Sequence, residues 1–207
     1  MKFRRCLLAF TVLLYSCADQ YELGERYFEE ENYEKALYHF ERADKLDQGN
    51  WRILYNLARS NEEVGNYDKA IGLYSRSIKL NNSADAHLGR ARCYLRDEYY
   101  LDGAIADYTE ALRLRPKNKF DAYYGRARAH LKNSNYYKAM RDVNRAIKIN
   151  PEYVNAYYHR AIARSQMGNH RGALKDMDRV IENKDNFQQG YFNRGIIYQR
   201  IGMFTYA

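Results

Sequence analysis

Proline is nearly missing from this chain: Pro116 and Pro151 are the only two in 207 residues. A proline inside a helix removes a hydrogen bond and clashes with the preceding turn, so its scarcity leaves helices free to form almost anywhere. Cysteine is scarce too. Cys6, Cys17 and Cys93 have no metal-like or redox-like spacing, and Cys93 is expected to be an inert buried thiol. The five histidines, His39, His87, His130, His159 and His170, include no i, i+4 pair of the kind that holds a metal on one helix face. No glycine-rich phosphate loop, nucleophile elbow or paired-carboxylate motif occurs. No catalytic residue, metal or cofactor is expected, and an enzyme is disfavoured. Long hydrophobic runs are also missing. The longest, Cys6 to Tyr15, has ten residues, against the roughly 20 that span a bilayer.

What is present is a folded composition, 46% apolar and 29% charged, with a net charge of +8. Lys2, Arg4 and Arg5 supply three of those charges, so loss of the first 16 residues leaves +5. The remaining Lys and Arg read as spread through the chain. A mild basic excess attracts acidic partners without identifying them, and nucleic-acid binding is not expected.

The positive start and short apolar run suit a cleavable export signal. Its end, Leu14-Tyr15-Ser16-Cys17, resembles the bacterial lipoprotein signal, although Tyr15 is bulkier than usual. The resemblance implies cleavage after residue 16, lipidation of Cys17, and a membrane-anchored lipoprotein of the cell envelope, in the outer membrane or facing the periplasm. No Ser/Gly/Pro linker follows, so the fold is expected to sit close to the lipid.

From residue 17 onward the chain repeats. Ala36, Ala70, Ala104, Ala139, Ala173 and Ala207 are separated by 34, 34, 35, 34 and 34 residues. Twelve or thirteen residues before each stands a small residue: Gly24, Ala58, Ala91, Ala127, Ala161 and Gly195. Four residues after come Phe40, Tyr74, Tyr108, Val143 and Met177, and seven after come Ala43, Ser77, Ala111, Ala146 and Val180. These offsets share one helical face, so each period predicts two helices packed through small residues. Gly65-Asn66, Ser134-Asn135 and Gly168-Asn169 supply turns inside the units, while Pro116 and Pro151 fall between units.

Leu23-Gly24, Tyr27, Tyr33, Ala36, Phe40 and Ala43, with Tyr191, Gly195, Tyr198, Phe204 and Ala207 near the end, resemble the tetratricopeptide repeat pattern. The resemblance covers residues 17–207. It implies an all-α, right-handed solenoid of antiparallel helix pairs, about five and a half units long: 17–50, 51–83, 84–119, 120–153, 154–187 and a partial 188–207. Such arrays bind proteins or peptides in a groove lined by the first helix of each pair. The last unit stops where its second helix should begin, which suggests truncation or pairing with another chain.

If that geometry holds, Tyr55, Leu88, Tyr124, Tyr158 and Phe192 face the groove, with Arg59, Arg92 and Arg128 four residues beyond the first three of them. Aromatics and arginines are enriched at binding hot spots, so these residues predict a partner with carboxylates and apolar anchors. The same side chains could instead pack between helices and form solvated ion pairs. The family's carboxylate clamp is disfavoured: its places hold Tyr21, Glu25, Asn56, Asp85 and Gly89, of which only Asn56 fits. Arg90, Arg126, Arg160 and Arg194 recur in step with Asp107, Asp142 and Asp176, and predict structural ion pairs, within or between units. The expected function is a non-catalytic protein-binding scaffold. The alternatives are a self-assembling adaptor using the incomplete last unit, or an accessory substrate-binding module of an envelope enzyme complex.

Overall fold

The computed structural model describes residues 16–96, 100–184 and 187–203. The apolar leader, Phe204 and Ala207 lie outside them. Among the described residues the chain is all-α, as expected, with no strand. The helices are α1 (Cys17–Glu29), α2 (Tyr33–Leu46), α3 (Trp51–Glu63), α4 (Tyr67–Leu80), α5 (Ala84–Tyr94), α6 (Leu101–Arg113), α7 (Lys119–Lys132), α8 (Tyr136–Ile149), α9 (Val154–Gln166), α10 (His170–Glu182) and α11 (Gln188–Arg200).

Asparagine does much of the starting. Asn32, Asn118 and Asn169 each cap a helix by accepting a backbone N–H three residues on, at 3.3, 3.2 and 3.0 Å. Four of the turns inside the hairpins share one ending. Gly65 (φ 84°), Gly168 (φ 79°), Glu31 (φ 57°) and Ser134 (φ 56°) all adopt the left-handed conformation. The following asparagine then donates its N–H to a carbonyl five residues back, as Asn66 does to Asn61 at 2.8 Å. Glu31 and Ser134 do this with a Cβ, at a strain that glycine avoids.

The chain divides into two compact units, Met1–Cys93 and Tyr94–Ala207. In the first, α1 pairs with α2 and α3 with α4. Ala36, Ala70, Phe40 and Tyr74 are fully buried there, and α5 joins the same core through Ala86 and Cys93. Cys93 is 2% exposed, buried in that core as expected. In the second unit, α7 pairs with α8 and α9 with α10, while α6 and α11 pack on α7 and α10. Ala104, Ala139 and Ala173 are again fully buried, with Val143, Met177 and Ile197 filling the space around them. Each large apolar side chain so buried contributes about 1.5–3 kcal/mol. The small residues are needed for proximity: a Cβ at Gly24 would lie 2.6 Å from the Phe40 ring.

Candidate functional site

The leading helices of the first unit, α1, α3 and α5, carry the first half of the expected groove set. Asn56 donates to the Tyr21 hydroxyl at 2.9 Å and to the Glu25 carboxylate at 3.3 Å, tying α3 to α1. Arg59 is stacked, with its guanidinium 4.1 Å from the Phe28 ring centre and 5.7 Å from that of Tyr55. Arg92 forks onto Glu62 through two bonds of 2.6 and 2.9 Å, and Glu62 also accepts the Tyr74 hydroxyl at 2.7 Å. Burial raises the Tyr55 and Tyr74 hydroxyl pKa values, the latter strongly. Leu88 is buried in the core, at 5% exposure. Two of the three expected arginines are therefore engaged within the protein. The small pocket beside Arg59, about 160 Å³, is lined by Glu25 and Glu29 as well as Phe28 and Asn56.

The second unit behaves differently. Its leading helices α7 and α9 bring Tyr124, Arg128 and Tyr158 to one cleft of about 450 Å³. Tyr153, Asn155 and His159 of α9 and its N-terminal boundary complete one wall, and Lys184, Phe187 and Gln189 complete another. Aromatic edges meet faces around it: Tyr124 on Tyr153 at 5.0 Å between ring centres, and Tyr158 on Phe187 at 5.2 Å. His159 Nδ1 lies 2.8 Å from the Asn155 carbonyl and 3.1 Å from the Tyr124 hydroxyl. A carbonyl can only accept, so Nδ1 carries the hydrogen. Burial lowers the His159 pKa to about 4, which keeps the ring neutral. Asn193 donates to the Tyr158 hydroxyl at 2.9 Å. Tyr21–Asn56, Tyr124–His159 and Tyr158–Asn193 thus repeat one polar link between successive leading helices, 35 residues apart.

Arg128 is exposed and its guanidinium lies 5.8 Å from the Tyr124 ring centre. It makes no hydrogen bond or ion pair with any described residue. Phe192, also expected in the groove, is 69% exposed and does not line this cleft. Lys184, Phe187, Tyr153 and Asn155 were not anticipated, because they stand at helix starts and connections outside the regular offsets from the alanine ladder.

The recurring arginines resolve the question of within or between. Arg126 grips Asp142 of its own hairpin at 2.7 and 2.9 Å, and its remaining nitrogen donates to Thr109 of α6 at 3.0 Å. Arg160 does the same with Asp176, at 2.8 and 2.7 Å, and with Asn144 of the preceding hairpin at 3.2 Å. Arg90 reaches back to Ser75 at 2.9 Å and Arg194 to Asp178 at 3.0 Å. Arg126 and Arg160 thus each clamp their own hairpin and tie it to the one before.

Lys and Arg are spread along the chain, as the sequence reading held, but net charge is not. Residues 94–207 carry 20 Lys and Arg against 12 Asp and Glu, whereas residues 1–93 carry 14 of each. The whole excess of +8 lies in the second unit. Cations arriving evenly along the chain hid the asymmetry, which comes from where the carboxylates are missing. Among the described residues no group of His, Cys, Asp and Glu could hold a metal, and no helix is long and apolar enough to cross a membrane.

Two tetratricopeptide repeat family models match the chain, over residues 27–93 and 100–154, together more than half its length. A DnaJ homolog subfamily C member 7 homolog from Dictyostelium discoideum is 30% identical over 100 residues, which cover 46% of this chain and 18% of that protein. The chain thus spans less than a fifth of that relative. The solved structure of PilW, a widely conserved type IV pilus biogenesis factor, matches with a TM-score of 0.77 at 16% identity, covering 92% of this chain and 88% of that one. YrrB, a TPR protein with an unusual peptide-binding site, matches with a TM-score of 0.69 at 20% identity, covering 79% and 84%. At these identities the solved structures share the fold. With its alanine ladder buried between paired helices and both models falling on those pairs, this chain belongs to the tetratricopeptide repeat family.

Proposed function

We propose that this chain is a non-catalytic scaffold of a bacterial cell envelope, anchored by lipid on Cys17, that binds a protein or peptide partner along its leading helices. Repeat arrays of this family serve as protein–protein interaction scaffolds, and neither matched model describes an enzyme. The observation that carries the reading is the second unit's cleft, where aromatic walls stand beside the unengaged Arg128 in a unit of net charge +8. That charge favours an acidic partner.

The test is affinity capture from envelope extracts with the intact protein. Replacing Arg59, Arg92 and Arg128 together with Glu is expected to abolish capture with helicity intact. Arg128→Glu alone is expected to account for most of that loss, about tenfold or more in affinity, since Arg59 and Arg92 are already held by Phe28 and Glu62. Capture that survives Arg128→Glu overturns the site. Exposed Tyr191, Phe192 and Met203, at 50%, 69% and 49%, favour self-assembly through the region of α11 as a second reading. Mass photometry separates the two, because self-assembly shifts mass with protein concentration.

The anchor reading rests on Lys2, Arg4 and Arg5, the apolar run and Leu14 to Cys17. Cys17 opens α1 with its thiol half-buried, donating to the Ala43 carbonyl at 3.6 Å, and burial raises its pKa. A thioether to lipid has no S–H, so that contact must be given up on modification. Each acyl methylene placed in the bilayer contributes about 0.8 kcal/mol in return. Cys17→Ser is expected to move the protein from the membrane to the soluble fraction. Unchanged retention rules out the lipid anchor.

A further inference from the structure

The second unit's cleft has a composition that selects among acidic partners. Two cations stand at it and no carboxylate lines it among the described residues. Lys184 spends one N–H on the Asn155 side chain at 2.7 Å and lies 4.8 Å from the centre of the Phe187 ring. An ammonium has three donors, so two remain. Arg128 keeps its whole donor fork free of described partners. The rest of the lining is largely ring surface from Tyr153, Tyr158 and Phe187, already arranged edge to face, which a further ring can extend. The volume of about 450 Å³ lies within the range of small-ligand sites, roughly 300–1,000 Å³. An anion alone would leave the rings bare, and an apolar segment alone would leave two cations facing it unpaired.

From this juxtaposition we infer that the cleft binds an extended peptide segment presenting an Asp or Glu side chain beside an aromatic one, with the carboxylate between Arg128 and Lys184 and the ring against Phe187 and Tyr158. The inference rests on the partner-binding reading above and specifies its ligand. His159 adds no third charge, since it is neutral above about pH 5 with its pKa near 4. Binding is therefore set by two permanent cations and is flat from about pH 5.5 to 8.

The test is fluorescence anisotropy of the full chain with a labelled, otherwise Gly/Ser peptide carrying an internal Glu-Phe pair. Replacing its Glu by Gln, or its Phe by Ala, is expected to weaken binding about tenfold each, and amidating its C-terminus is expected to change nothing. Arg128→Gln with Lys184→Gln is expected to erase the preference for Glu over Gln while leaving the circular-dichroism spectrum unchanged. The peptide substitutions need no protein variant, so a misfolded variant does not spoil the test. Equal binding of the Glu and Gln peptides, loss on amidation, tighter binding of a phosphotyrosine peptide, or an affinity that climbs as pH falls from 7 to 5.5 overturns the inference. A chain that captures envelope proteins yet ignores the Glu-Phe peptide refutes this ligand alone. One that does neither refutes the scaffold reading as well.

Discussion

Asp176→Ala is expected to destabilise the second unit by about 3–5 kcal/mol, the loss that follows when one partner of a buried ion pair is removed. Asp176 is 4% exposed at its side chain and, among the described residues, is the carboxylate that holds two guanidiniums, those of Arg160 and Arg164, at 2.7 and 2.6 Å. Those arginines are themselves only 16% and 23% exposed, so both would be left in a poorly solvated setting without a counter-charge. Arg160 would also lose the bond that orients its third nitrogen toward Asn144, loosening one hairpin from the next. The comparison is Asp178→Ala. Asp178 pairs with Arg194 at 3.0 Å, but the two side chains are 45% and 31% exposed, so the expected cost is about 1 kcal/mol or less. Urea unfolding followed by circular dichroism distinguishes them. Equal midpoints for the two variants would show that Asp176 does not hold its hairpins.

Gly89→Ala should lower stability by about 1–3 kcal/mol, although alanine favours a helix by about 1 kcal/mol over glycine. A Cβ at residue 89 falls 2.2 Å from the Tyr74 ring. Tyr74 has nowhere to go: it is fully buried and donates its hydroxyl to Glu62, which Arg92 holds in turn. Gly72→Ala provides the opposite sign, because that position is exposed and nothing lies within 4 Å of the new Cβ. It is expected to gain roughly 0.5–1 kcal/mol. Thermal unfolding of the pair reads both effects, and Tyr74→Leu is expected to make Gly89→Ala tolerable by removing the ring it strikes. A stabilised Gly89→Ala would mean that α4 and α5 do not approach as closely as described.

How much of this was legible in advance differs by residue. The alanines at 36, 70, 104, 139 and 173 and the large side chains four residues on are buried as a periodic pattern requires, since a hairpin that stacks on both sides leaves one face no other place. The Arg126–Asp142 and Arg160–Asp176 pairs were anticipated from co-recurrence, but their second arm to Thr109 and Asn144 was not. Those acceptors are uncharged and differ from hairpin to hairpin, so no spacing marks them.

The linear order of residues determined the helix pairs, their length and the packing face of each, because local periodicity decides which side chains must leave water. Tertiary structure alone decided the fates of Arg59, Arg92 and Arg128, which occupy equivalent places along their helices. Phe28 stacks on the first and Glu62 forks the second, while the third stands in a cleft whose other cation, Lys184, comes from the connection after α10. A guanidinium's role is set by what other segments bring within a few ångströms of it, and that distance is not a property of the repeat.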